Sequence, residues 1–184
     1  MGVSLRSYKK PLSILMGILI VLGIATYSFV GKHGVFSGLQ NDLKAIDPGA
    51  LFSYTDLEGN PVNLTAFKGK PLIINSWATW MPFSQAELPL LAKIKEEKAD
   101  SINVLAINRM EDRAVIKSYM SVFSIPNSIL FLADPTDNYY KVTGGYSMPE
   151  TIFYNADGVI VSHKRGNMTE EELRSFVDQI TSNK

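Results

Sequence analysis

Three mostly apolar runs alternate with two amphipathic stretches through the middle of the chain. The runs at residues 72–76, 102–107 and 129–133 lack regular polar alternation, which predicts strands buried on both faces, as in a parallel sheet. Residues 82–98 and 111–123 repeat apolar positions with a helical period. The inward face predicted for the second helix is Val115, Ile116, Tyr119, Met120 and Phe123. The order β-α-β-α-β predicts crossover helices between parallel strands.

Shorter segments on either side of this region predict two hairpins. Residues 51–57 and 62–64 flank a Glu-Gly-Asn-Pro turn. Residues 151–154 and 159–163 flank Asn-Ala-Asp-Gly, in which Asp-Gly favours a tight turn. The sheet is therefore expected to be mixed, with helices on both faces.

The last helix has a start signal of its own. Thr169 and Glu172 have the spacing of a capping box, and Met168 and Leu173 occupy the positions of a hydrophobic staple. We expect a helix from this point to about Thr181, with Leu173 among its inward residues.

Residues 11–30, from Pro11 to Val30, contain no charged side chain. As a helix, that length is sufficient to cross a hydrocarbon core about 30 Å thick. Arg6, Lys9 and Lys10 precede it, which predicts an N-terminus in the cytoplasm and a C-terminal domain on the outer (periplasmic or extracellular) face of the cytoplasmic membrane. The predicted parts are a basic N-terminus (1–10), a single transmembrane anchor (11–30), a linker (31–49) and a folded domain (50–184).

A cleaved signal peptide is the main alternative for the same segment. The apolar run is longer than the roughly 7–15 residues of a signal core, and no clear small-x-small cleavage site surrounds Ala25. A buried soluble helix is less favoured, because no polar residues mark an outward face. The anchor and the signal peptide both export the folded domain.

Charge and cysteine content narrow the function. Four of the 18 basic residues lie in residues 1–34, which contain no acidic residue. Residues 35–184 therefore contain 14 basic and 18 acidic residues, a net charge of −4. That balance argues against a nucleic-acid partner, which requires a basic face. The chain has no cysteine, so an exported domain would depend on its hydrophobic core without disulfides.

Residues 72–89, with the sequence LIINSWATWMPFSQAELP, join a buried strand to a helix through a turn with two tryptophans. Pro82 suits the first turn of that helix, and Pro89 should kink it. A helix N-terminus lowers the pKa of a cysteine placed there. The two positions that would carry such thiols hold Met81 and Ser84.

The segment Trp77-Ala78-Thr79-Trp80-Met81-Pro82-Phe83-Ser84 resembles the W-A-T-W-C-x-x-C signature of membrane-anchored, thioredoxin-like proteins of the TlpA/ResA type. That group includes thiol-disulfide oxidoreductases of cytochrome c maturation. The spacing from Met81 to Pro89 and the segment Ser147-Met148-Pro149-Glu150-Thr151 also resemble this group, the latter its cis-proline loop. The resemblance covers about residues 50–180 and implies a thioredoxin-like α/β fold with an N-terminal β-hairpin extension.

The same motif departs from the family at its reactive atoms. In the family the first cysteine attacks and the second resolves the mixed disulfide. A Met81 thioether cannot ionise, and the Ser84 hydroxyl is expected to cap the helix or contact solvent, so the chain cannot carry out dithiol exchange. Either the replacements are neutral in a domain kept for its shape, or they form a surface that binds without reacting. Ser84 as a hydrolytic nucleophile is disfavoured because no base is evident beside it.

The residues predicted to bind a partner are Trp80, Pro82, Phe83, Met148 and Pro149. The resemblance implies a structural Trp77 and an exposed Trp80, which would form an apolar patch with its neighbours. The backbone beside Pro149 could pair with an extended peptide. The expected partner is therefore a protein or an extended peptide at the degenerate active-site groove.

Other polar residues suggest no chemistry. Asn75 would lie beneath the motif, while Glu87, Glu150 and Asp157 are predicted to be solvated. No His, Asp or Glu cluster has metal-ligand spacing, and no glycine-rich loop has a phosphate-binding pattern, so no metal or cofactor is expected.

These observations support a redox-inactive binding or accessory protein in an envelope thiol-redox or cytochrome c maturation system. The alternative is a thiol-disulfide oxidoreductase family member, either a cysteine-free variant or one that acts with a thiol supplied by a partner. A structural subunit whose patch is covered by a permanent partner is a third hypothesis.

Overall fold

The computed structural model describes residues 54–182. A mixed sheet of seven strands forms the centre of this part, in the order β2-β1-β5-β4-β3-β6-β7. Its strands are β1 Tyr54–Asp56, β2 Pro61–Val62, β3 Leu72–Trp77, β4 Asn103–Arg109, β5 Leu130–Asp134, β6 Glu150–Tyr154 and β7 Ile160–Arg165. The helices are α1 Ser84–Lys98, α2 Arg113–Val122, α3 Asn138–Val142 and α4 Glu170–Ser182, with 3-10 turns at Leu64–Phe67 and Ala99–Ser101.

The predicted anchor, linker and first residues of the first strand lie outside the described residues. Within residues 54–182, no helix combines the length and apolarity needed to cross a bilayer.

The parallel core predicted from the three apolar runs is confirmed. β3 pairs in parallel with β4, and β4 with β5, so the two crossovers advance in the same direction across the sheet. Right-handed crossovers of this kind place α1 and α2 on one face. Leu88, Ile116 and Val177 share one core cluster there, so α4 packs on that face too. Leu64 and Tyr139 bring the first 3-10 turn and α3 to the opposite face, as the mixed architecture requires.

Both predicted hairpins are present, and they add the outermost strands on the two sides of the sheet. β1 pairs antiparallel with β2 and β5, and β6 pairs antiparallel with β3 and β7. Glu150 lies opposite Ser76, so the loop before β6 lies at the end of the sheet where β3 terminates. The turns after β3 and β4 lie at this same end of the sheet because the two strands are parallel.

The capping box predicted for the last helix is confirmed. The Glu172 N–H donates to Thr169 Oγ1 at 3.2 Å, and the Thr169 N–H donates to Glu172 Oε2 at 2.9 Å. Met168 and Leu173 are both buried in the core at the positions of the staple. These contacts satisfy N–H groups that a helix start otherwise leaves unpaired.

Two helix predictions need correction. α1 begins at Ser84 rather than Pro82, because residues 81–83 form a turn in which the Ser84 N–H donates to the Met81 carbonyl at 3.1 Å. The inward face of α2 was only partly right. Ile116 and Met120 are buried, but 46% of Val115 and 40% of Phe123 are exposed.

Candidate functional site

The two tryptophans of the motif have opposite environments. Trp77 ends β3, is fully buried and packs edge-on against Phe131. Trp80 follows in the turn with 60% of its surface exposed, and half of Phe83 is exposed. Trp77 lies on the face of β3 that α1 and α2 cover, whereas the turn after the strand carries Trp80 away from the core. This agrees with the structural and exposed roles predicted for them.

Ser84 lies in an environment that the sequence did not predict. Its side chain is buried, with 1% exposed, and its Oγ has no hydrogen-bond partner among the described residues. The N-cap position is Phe83, and no side chain caps α1 there. The expectation of a capping or solvated hydroxyl is therefore wrong, because the first turn of α1 faces the core. Such a setting suits a weakly polar group such as a thiol better than an unpaired hydroxyl.

An open groove of about 680 Å³ separates the motif turn from α2. One wall consists of Thr79, Trp80, Met81, Pro82 and Gln85. The other consists of Ala114, Val115, Ser118, Tyr119, Val122 and Phe123. Trp80 and Pro82 from the predicted binding set line this groove together with Met81, whereas Phe83, Met148 and Pro149 do not.

The α2 wall was missed because Val115 and Phe123 were assigned to the core. Val115 and Val122 are seven residues apart and therefore lie on one side of a helix. When Val122 is added to the apolar positions of α2, the apolar face of the helix is wider than packing against the core requires. That excess of apolar surface was the signal available in the sequence.

Glu111 fixes the motif turn to the turn after β4. Its Oε2 accepts hydrogen bonds from the Thr79 N–H at 2.8 Å and from Asn108 Nδ2 at 2.7 Å, and its Oε1 accepts one from the Thr79 hydroxyl. Several hydrogen bonds to one charged group hold a turn more firmly than neutral bonds do. Glu111 therefore positions Trp80, the residue that follows Thr79.

A buried group of polar side chains, Asn75, Glu87 and Thr151, lies between β3, β6 and α1. Asn75 Nδ2 donates to Thr151 Oγ1 at 2.8 Å and to Glu87 Oε2 at 3.3 Å. Glu87 is only 2% exposed, so its predicted solvation is wrong. Burial raises the pKa of Glu87 to about 7, while the Asn75 hydrogen bond, the Lys164 charge and the Met168 N–H oppose that rise. A carboxyl group with this pKa can gain or lose a proton near neutral pH.

A second buried acidic side chain, Glu150, lies at the start of β6, directly after the cis-proline loop. The Met148–Pro149 bond is cis, Met148 is half-buried and Pro149 is buried, so the proline ring adds little to the exposed surface. Glu150 is 1% exposed, and its Oε1 lies 2.8 Å from His163 Nε2 and 3.1 Å from Arg165 Nε. The predicted solvation of Glu150 is therefore also wrong, whereas Asp157 is exposed as predicted.

In residues 54–182, no group of three His, Asp or Glu side chains could hold a metal ion. The motif therefore offers an exposed apolar surface above a buried, titratable carboxyl group. It has no thiol for dithiol exchange, since the one sulfur of the motif is the Met81 thioether.

The model of the redoxin family matches residues 43–180, which is most of the chain. The chain belongs to the redoxin family. This redoxin is 28% identical to the thiol-disulfide oxidoreductase ResA of Halalkalibacterium halodurans, over 95% of its own length and 96% of the relative. It is also 28% identical to the thioredoxin-like protein YneN of Bacillus subtilis, over 89% of the chain and 96% of the relative.

Solved structures agree on the fold of this redoxin. A secreted Mycobacterium tuberculosis disulfide oxidoreductase, described as homologous to Escherichia coli DsbE, matches with a TM-score of 0.63 and 24% identity, over 72% of the chain and 98% of that structure. The predicted relationship to TlpA/ResA-like, thioredoxin-like proteins is confirmed, as is the α/β fold with a mixed sheet. Met81 and Ser84 remain its departure from the family's dithiol motif.

Proposed function

We propose that this redoxin is a binding or accessory protein that presents its degenerate motif surface to a protein or extended peptide. The observation that supports this most directly is the pairing of an exposed Trp80 and Phe83 with a motif that lacks both thiols. The rest of the fold is retained around that motif. This is expected if the protein functions through the shape of its surface rather than through thiol chemistry. Exposed aromatic side chains beside a groove are typical of binding sites.

The system in which it acts is proposed from its relatives. Several are named thiol-disulfide oxidoreductase ResA, which supports a role in envelope thiol-redox chemistry or cytochrome c maturation. A protein that binds the same partners without reacting could hold or present them to an active oxidoreductase.

Photo-crosslinking tests the binding role. A photoreactive amino acid at position 83 should give defined protein adducts in cells, because half of the Phe83 side chain is exposed beside the motif. The matched control is position 159, where 42% of Val159 is exposed in the β6–β7 turn at the opposite end of the sheet. Equal adducts at both positions would contradict a specific surface. Insulin reduction by the thiol-free purified chain would contradict the redox-inactive role.

We further propose that residues 11–30 anchor the chain in the cytoplasmic membrane, with the folded domain outside. The uncharged stretch and the basic residues before it support this orientation. Alkaline phosphatase fused after Lys184 should be active, because that enzyme requires export. A fusion of β-galactosidase at the same point should be inactive, and the reverse result would refute the topology.

A further inference from the structure

The outward face of α2 is an apolar surface that its own core contacts do not use. Ile116 and Met120 pack in the core, whereas 46% of the Val115 surface and 71% of the Val122 surface are exposed along the groove. Trp80 faces them from the motif turn with 60% of its surface exposed. Apolar side chains on two facing walls gain free energy when a third apolar group enters between them and displaces water.

The lining of this groove carries no charged side chain. Three of the charged residues closest in sequence are engaged elsewhere, while Asp112 precedes α2 and is exposed to solvent. Lys117 Nζ lies 3.5 Å from Glu58 Oε1, and the Arg113 guanidinium lies against Gly59, both at the β1–β2 turn. The Glu111 carboxylate is taken up by Thr79 and Asn108. A charged side chain bound in the groove would therefore be desolvated without a partner, which disfavours it.

The groove also limits the length and conformation of its ligand. Val115 and Val122 are seven residues apart on α2, a distance of about 10 Å along the helix. An extended chain covers that distance in about three residues. Gln85 on one wall and Ser118 on the other are exposed and neutral, so they can bond to the peptide groups of an extended segment.

We propose that the groove between the motif turn and α2 binds an extended, uncharged segment of about three apolar residues from a partner protein. This inference rests on the proposed function and makes it more specific. It names α2 as the second wall of the binding site, in place of the Met148–Pro149 loop, and it names the chemistry of the ligand.

Selection from a random nonapeptide phage library tests the inference, with the full-length chain held in lipid nanodiscs. We expect enriched peptides to share a short uncharged apolar core. Synthetic copies should bind at least about tenfold more weakly to Val122→Asp, because aspartate places an unpaired charge in the groove. Val159→Asp is the matched control, since it adds the same charge to an exposed valine at the opposite end of the sheet, and it should bind like the unmodified chain.

Trp80→Ala provides a second variant from the facing wall and should also weaken binding. Circular dichroism shows whether each variant remains folded. Enriched peptides with charged cores, or equal binding to Val122→Asp and the unmodified chain, would overturn the inference. If Met148→Ala or Phe83→Ala abolished binding while Val122→Asp did not, the inference would fail and the proposed function would stand. No enrichment over empty nanodiscs would count against both.

Discussion

The double variant Met81→Cys with Ser84→Cys is expected to reduce insulin disulfides in the presence of dithiothreitol, whereas the starting chain should show no activity above background. The Ser84 N–H donates to the Met81 carbonyl at 3.1 Å, which closes a tight turn between the two positions. Such a turn brings its end Cα atoms within about 7 Å, close to the 4.4–6.8 Å that a disulfide requires. The two new thiols can therefore form the disulfide needed for turnover.

The surroundings of the two positions also favour reactivity. Residue 81 precedes the start of α1, where the free N–H groups lower the pKa of a thiol. Position 84 is buried, and its present hydroxyl has no hydrogen-bond partner within residues 54–182. A thiol there would leave a less polar group unsatisfied. Glu87 lies one turn further along α1 on the same buried face, with a pKa of about 7 that suits proton transfer.

Single variants provide the controls for this experiment. Ser84→Cys alone cannot form the intramolecular disulfide, so it should not turn over. A folded double variant without activity would show that the surroundings of the motif have diverged along with its cysteines. Activity in the double variant would favour a chain that lost only its two thiols, and it would keep open the alternative of a partner-supplied thiol.

Much of the fold could be predicted from local patterns. The runs that became β3, β4 and β5 are mostly apolar, because strands of a parallel sheet are covered on both faces. The start of α4 was also predictable, since its capping box and staple are short-range signals. The buried Trp77, the exposed Trp80 and the cis bond before Pro149 followed from the resemblance rather than from periodicity.

The environment of single polar residues was not predictable in the same way. Glu87 and Glu150 were expected in solvent because carboxylates are seldom fully buried without a partner. The hydrogen-bond partner of Glu87 is Asn75 on β3, and the partners of Glu150 are on β7. Glu87 therefore meets its partner only when α1 packs on the sheet, and Glu150 meets its partners only when β6 pairs with β7. The helical repeat nevertheless held a clue, because Glu87 falls between Ser84 and Leu91 on the buried side of α1.

Glu87→Gln is expected to change how stability depends on pH. Burial raises the pKa of Glu87 from the ordinary 4.5 to about 7 in the folded chain. Below pH 4.5 the carboxyl group is protonated in both states, and its contribution to stability is fully present. Between the two values the unfolded chain loses the proton while the folded chain retains it, so stability falls as pH rises and levels off above about 7. The difference in pKa corresponds to a loss of about 3 kcal/mol.

Urea unfolding of both chains across pH 4.5 to 8 measures this effect. The glutamine variant keeps the shape and the Asn75 contact but cannot ionise, so its free energy of unfolding should exceed that of the starting chain by about 3 kcal/mol more at pH 8 than at pH 4.5. Glu96→Gln, at an exposed position of the same helix, should leave the pH profile unchanged. Parallel profiles for Glu87→Gln and the starting chain would mean that the buried carboxyl group has an ordinary pKa. The proton acceptor assumed for the restored cysteines would then have to lie elsewhere.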